Sequence, residues 1–159
     1  MSRLLGVDLG ERRIGLAVGD PAVGLARPLA TIRRSRDAAA DAERLRHIVV
    51  EQGVSELVVG LPLDMSGDEG AQALRTRAWV DAVEPILGLP VSLRDERLSS
   101  ETAERRLGPA PRGRAGGPPG PTRREARRAR IDREAAAVIL QDELDARAAR
   151  AERTEDERT

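Results

Sequence analysis

The chain reads as an α/β protein: a mixed five-stranded sheet, three antiparallel strands followed by two parallel ones, flanked by helices. Two observations carry this. RLLGVDLG and IGLAVGD are apolar runs separated only by the polar ERR, the spacing of a β-hairpin. Beyond residue 36, apolar runs of strand length alternate with segments of helical periodicity, the pattern that builds parallel crossovers. At 159 residues the chain is long enough to bury a real core, and we read residues 1–147 as one domain and residues 148–159 as a disordered charged tail.

In order, the opening hairpin is followed by a turn at Asp20-Pro21. GLARPLATIRR is then a third strand, whose Pro28 calls for an edge position or a bulge. Residues 37–53 have helical spacing, with Ala42, Leu45, Ile48 and Val49 as a stripe and Gly53 as the C-cap. ELVVGLPLD is a buried parallel strand. Residues 67–87 form a second amphipathic helix, with Ala71, Leu74, Ala78 and Val83 on its inner face. VSLRDERLSS holds a short strand, a serine cap and a short helix ending at Leu107. Glycine and proline fill ten of the fourteen positions in 108–121, so this is a flexible loop. A last helix covers 122–148.

Composition excludes several chemistries. There is no cysteine and a single histidine, His47, which rules out thiolate sites and disulfides and argues against Ser-His-Asp catalysis. No signal peptide or membrane-spanning run is present, so a cytoplasmic protein with no membrane partner is expected. All 27 basic residues are arginine. Residues 112–133 hold eight of them against Glu125 and Asp132, whereas residues 141–159 hold seven acids against four arginines.

Three acidic positions stand out. Asp8 interrupts an apolar strand, where aspartate is unfavourable, with Gly6 and Gly10 two residues away on either side. Asp95 and Glu96 sit where a short strand ends, between Arg94 and Arg97; an ordinary surface ion-pair cluster is the competing reading. Asp132 shares a helix face with Ala135, Ala136 and Ile139, where a carboxylate is costly unless paired or metal-bound; alternatively it is a helix N-cap. Carboxylates from a central strand, a strand end and a facing helix can converge on one or two hard cations that activate water against a phosphodiester. In that arrangement Gly6 and Gly10 leave room for substrate and metal-bound water.

The stretches GVDLGERRIGLAVGD, ARPLATI, VVGLPLDMSG, RDERLSS and IDREAAAVILQ resemble the YqgF family of the RNase H-like superfamily, in family order over residues 4–141. VGLPLDMSG joined to DERLS is the specific part. The resemblance implies an RNase H-like fold and a metal-dependent nuclease using Mg²⁺ or Mn²⁺. Its substrate would be the 5′ side of the small-subunit ribosomal RNA precursor or, in the family's other assignment, branched DNA cut as a Holliday junction resolvase. The family's acids fall on Asp8, on the Asp95-Glu96 pair with Glu96 preferred, and on Asp132, as catalytic residues and metal ligands. Arg112, Arg114, Arg123, Arg124, Arg127 and Arg128 would bind backbone phosphates, and Asp64 and Ser66 would touch substrate. With neither Phe nor Tyr available for stacking, structured nucleic acid is the expected partner. Junction resolution calls for a two-fold homodimer; RNA maturation does not.

Two departures are visible. Ser100 stands where the family usually has threonine, and RREARRAR where it is usually lysine-rich. Two other classes compete. An actin-like phosphotransferase also opens on DLG, but it needs a second lobe that this length does not supply. A non-catalytic ribosome-assembly factor would use the acids structurally.

Overall fold

The computed structural model describes residues 2–97, 99–110, 112–113 and 115–159. Strands β1 (Arg3–Leu9), β2 (Arg13–Asp20) and β3 (Leu25–Arg33) are followed by helix α1 (Ala38–Gln52), β4 (Val54–Leu61), α2 (Ala71–Leu87), β5 (Val91–Asp95), α3 (Ser99–Leu107) and α4 (Pro121–Asp156). The five strands form one sheet in the order β3-β2-β1-β4-β5. β1 runs antiparallel to β2 and parallel to β4, and β4 is parallel to β5. The mixed topology is the one the sequence predicts. β3 lies at an edge, and its pairing with β2 shifts register beside Pro28, so both consequences of that proline are realised.

Alternation in β1 sorts its side chains onto two faces. Leu5, Val7 and Leu9 join Leu16, Leu45, Leu57 and Trp79 in a core beneath α1 and α2. Leu4 packs with Ala17, Val58, Ala136, Ile139 and Leu140 beneath α4. The α4 face also carries Gly6, Asp8, Gly15 and Gly60. A β-carbon on Gly6 would lie 2.8 Å from the Ala136 carbonyl oxygen, and one on Gly15 only 2.0 Å from that of Asp132. These glycines let α4 lie against the sheet at backbone distance. Gly6 therefore does not leave room for substrate: α4 fills its space. Gly10 is set by the hairpin turn, where its N–H donates to the Arg13 carbonyl oxygen at 2.9 Å and a β-carbon would meet that same oxygen.

Helix α1 begins at Asp37, whose side chain accepts from the Ala39 N–H, and ends at Gly53 with φ 66°. Its stripe is as read, with Ala42 and Leu45 fully buried and Ile48 and Val49 packed beside them. Helix α2 starts at Ala71 rather than at residue 67, and its inner face is rotated from the expected one. Ala73, Thr76, Trp79, Val80 and Val83 are buried, whereas Ala71 and Ala78 are exposed and Leu74 is 58% exposed. The cause is the one aromatic ring: the Trp79 indole N–H donates to the buried Asp41 carboxylate at 3.1 Å, fixing the helix rotation.

Helix α4 continues to Asp156, past the expected boundary at residue 148, through a segment rich in good helix formers; residues 151–159 are exposed. Its middle is held to the sheet by ion pairs. Glu143 binds Arg94 of β5 at 3.0 Å and Arg147 at 3.0 Å, and Arg147 also reaches Glu56 of β4. Among the described residues no helix is long and apolar enough to cross a membrane.

Candidate active site

The three acidic positions lie at one end of the sheet, where β1, β4 and β5 finish. Asp8 is the penultimate residue of the central strand. Its antiparallel neighbour is Gly15, and on the other side the β1–β4 pairing that aligns Val7 with Val59 brings Gly60 alongside. Both flanking positions lack a side chain, and the two spaces are used differently. Over Gly15 sits the α4 backbone at Asp132. Over Gly60 sits the Glu96 carboxyl, whose Cδ would be 2.6 Å from a β-carbon there. Two glycines thus admit two acids beside Asp8.

Glu96 follows the last residue of β5, and its N–H donates to the Leu61 carbonyl at 3.1 Å. That bond extends the ladder by one step and turns the Glu96 side chain inward. Ser99 Oγ lies 2.8 Å from Glu96 Oε2 and donates to it, and Glu96 shares a hydrogen bond with Asp8. Asp95 goes the other way. It is exposed and pairs with Arg97 at 2.9 Å. Glu96 is therefore the inward member of the pair. The surface-cluster reading holds for the rest of the tetrad, since Arg94 is spent on Glu143.

Burial and like charge act together on this pair. Burial, then the charge of Asp132, raises Asp8 to about 6. Burial, then the charge of Asp8, raises Glu96 to about 9. Neither has an ion pair among the described residues, so burial and like charge favour a proton shared between the two carboxyls.

Asp132 lies well inside α4 and is not an N-cap. Its carboxylate accepts from Arg13 Nε at 2.5 Å, and Arg13 also reaches Glu125 at 3.3 Å. Asp132 is close enough to raise the Asp8 pKa, yet its carboxylate is turned to Arg13. Among the described residues no three acidic or histidine side chains are closed around a point that could take a metal ion. The oxygen donors suit a hard divalent cation. Asp8 and Glu96 would fit one once their shared proton is lost, and Asp132 would complete the set on leaving Arg13.

A cleft of about 410 Å³ opens beside Asp132, bounded by Gly10, Glu11, Arg12, Arg13 and Arg128. Of the expected phosphate-binding arginines, Arg128 lies in that cleft. Arg127 is turned away, donating to the Gly108 carbonyl at 2.7 Å and tying α4 to the end of α3. Arg123 donates to the Arg112 carbonyl at 3.3 Å; Arg112, Arg123 and Arg124 are exposed. Arg114 lies outside the described residues. Asp64 is engaged within its own loop, accepting from the Ser66 N–H, the Ser66 hydroxyl and the Asp68 N–H. The Ser66 hydroxyl and these backbone donors hold Asp64 below its usual range.

Sequence reasoning missed Arg13, Ser99 as the partner of Glu96, and the pair Gly15 and Gly60. With Gly10 opposite Arg13 the turn is the two residues Glu11 and Arg12, and counting back from it sets Asp8 opposite Gly15.

The family described as "RuvX: Holliday junction resolvase" matches residues 2–146. A protein from Roseiflexus sp. (strain RS-1) named "Putative pre-16S rRNA nuclease" is 42% identical over 143 residues, covering 90% of this chain and 94% of that one. A protein of the same name from Anaeromyxobacter sp. (strain K) is 47% identical over 146 residues, covering 92% and 98%. Among solved structures, Thermus thermophilus RuvC in complex with a Holliday junction substrate superposes with a TM-score of 0.50 at 20% identity, over 93% of this chain and 96% of that one. This last likeness is one of fold.

Proposed function

The chain belongs to the RuvX family, and from that premise we propose that it is a divalent-metal-dependent endonuclease acting on the precursor of small-subunit ribosomal RNA. The observation that carries the reading is the buried Asp8–Glu96 pair without a cationic partner, one acid on the central strand and the other just past the end of β5, with Asp132 beside it on α4. A structural role is a poor account of it, because buried carboxyls without a cation are costly. The RNA assignment follows the relatives, which carry that name over nearly their whole length.

The residues divide the work. Asp8, Glu96 and Asp132 would hold Mg²⁺ or Mn²⁺. When bound, such an ion stabilises charge on the phosphoryl oxygens and lowers the pKa of a water. Asp8 is fixed by its strand and cannot swing away. Glu96 would serve as a ligand in its deprotonated form, with Ser99 steadying Oε2 through the hydroxyl donor at 2.8 Å. Asp132, which pairs with Arg13 here, would hold the ion if released from that pair, and the Arg13 guanidinium lies in the same cleft as Arg128. Both are placed to grip the phosphate through planar forks. Arg112, Arg123 and Arg124 extend the contact along the backbone, giving salt-sensitive affinity with little sequence preference.

The test is cutting of a ribosomal RNA precursor by the purified protein in Mn²⁺, Mg²⁺ and chelator, alongside Asp8→Asn. Metal-dependent cutting that Asp8→Asn abolishes is expected. Equal cutting by the variant, or by wild type in chelator, overturns the assignment. The family description favours a second substrate, the four-way DNA junction. That reading requires a two-fold dimer in solution and cutting of the junction at lower enzyme concentration than the RNA.

A further inference from the structure

A second basic cleft lies on the other side of the β1–β2 turn. It has a volume of about 290 Å³ and is formed by Arg34, Ser35, Arg36, Arg75 and Trp79, where β3 leads into α1 and faces the first turns of α2. Its floor is built rather than incidental. The Ser35 N–H donates to the fully buried Asp41 carboxylate at 2.8 Å, and the same carboxylate accepts from the Trp79 indole at 3.1 Å. Asp41 is further neutralised by Arg44 at 3.1 Å, so it does not cancel the cleft's charge. Arg34 donates to the Gly10 carbonyl at 2.9 Å, and Gly10 also borders the cleft beside Asp132. The two clefts therefore meet across one backbone turn. Among the described residues Arg36 and Arg75 have no hydrogen-bond or ion-pair partner, and both are exposed. Arg12 on the turn and Arg33 at the end of β3 add further positive charge. The nearby acids are Glu11 on the turn and Asp37, the latter engaged as the α1 cap.

We propose that Arg34, Arg36 and Arg75 form a phosphate-binding cleft that holds the backbone of the same RNA cut at the acid site, at a point where a duplex-containing substrate passes over the Gly10–Arg12 turn. This rests on the nuclease reading above. Charge complementarity commits the cleft to a polyanion, and its continuity with the acid site through Gly10 commits it to the substrate itself. Arg36 and Arg75 bind phosphate directly, and Arg34 positions the turn between the two clefts.

The test is binding of a fluorescent stem-containing RNA from the ribosomal precursor, measured in chelator across a salt series, with cutting in Mn²⁺ measured separately. Arg36→Ala/Arg75→Ala is expected to weaken binding roughly three- to tenfold and to flatten the log–log salt slope by about one to two, as loss of one or two phosphate contacts requires. Arg36→Lys/Arg75→Lys should restore most of the affinity, and Arg153→Ala/Arg158→Ala, in and just beyond the last turn of α4, should bind as wild type does. Unchanged affinity and slope in the alanine variant, while wild type still cuts RNA, overturns this inference and leaves the nuclease reading standing. A loss seen only on a four-way DNA junction assigns the cleft to DNA and overturns it as stated. Wild type that neither binds nor cuts RNA overturns both.

Discussion

Replacing Glu96 by Gln removes the proton site and keeps the shape. The amide can still donate toward Asp8 and accept from Ser99. In the wild type, Glu96 titrates at an ordinary 4.5 when unfolded and at about 9 when folded. The folded state therefore holds a proton that the unfolded state has lost, and wild-type stability falls as pH rises from 4.5 toward 9. The slope from one such group is about 1.36 kcal/mol per pH unit. From pH 5 to pH 8 this amounts to roughly 4 kcal/mol if Glu96 alone keeps its proton, and to roughly half that once water access and relaxation are allowed for. Asp8 adds a slope of the same sign between 3.8 and about 6 in both proteins and largely cancels in the comparison. For a protein of this length ~1 kcal/mol moves Tm by roughly 2–4 °C. Tm of Glu96→Gln minus Tm of wild type is thus expected to grow by roughly 4–8 °C between pH 5 and pH 8. Scanning calorimetry at half-unit intervals in chelator reads it directly. Curves that stay parallel across the range would refute the protonated pair. At pH 8, saturating Mn²⁺ should recover stability in wild type, by about 2.7 kcal/mol at a hundred times Kd, and much less in Glu96→Gln.

Other expectations follow from single contacts. Gly15→Ala drives a methyl into the Asp132 carbonyl, 2.0 Å away, so α4 must lift; urea denaturation should show a loss of roughly 1–3 kcal/mol, and the Mn²⁺ response should weaken as Asp132 withdraws. Trp79→Phe keeps the apolar ring but removes one donor to buried Asp41, costing roughly 1–3 kcal/mol in the same assay with cutting retained. Arg13→Gln removes the competitor for Asp132, so the Mn²⁺ concentration giving half-maximal thermal stabilisation should fall while RNA binding weakens.

The sheet was legible because its signals are local. The ERR turn fixes the hairpin, Pro28 sends β3 to an edge, and Gly53 stops α1. The rotation of α2 was not legible, because Leu74 and Ala78 look as apolar as Ala73 and Val80. What separates them is one indole N–H finding Asp41, a partner 38 positions away. The end of α4 was misplaced for a related reason: its last two turns bury nothing, so helix propensity alone extends it, and apolar periodicity is silent there.

The acids lie between these cases. Asp8 announces itself, since a carboxylate in a buried strand needs a reason. Choosing between Asp95 and Glu96 by alternation points to Asp95, which shares the parity of Val91 and Leu93. The structure puts Glu96 inward because Asp8 lies on the opposite face from Val91 and Leu93: Glu96 shares the parity of Arg94, which meets Glu143 of α4, and its N–H makes the last ladder bond to Leu61. The deciding feature is on another strand, at Gly60, the one neighbour of Asp8 with space for a second carboxyl. Glycine on each side of a central-strand acid is thus a sharper sign of converging carboxylates than the acids themselves, because a β-carbon at Gly15 or Gly60 would keep the other two out.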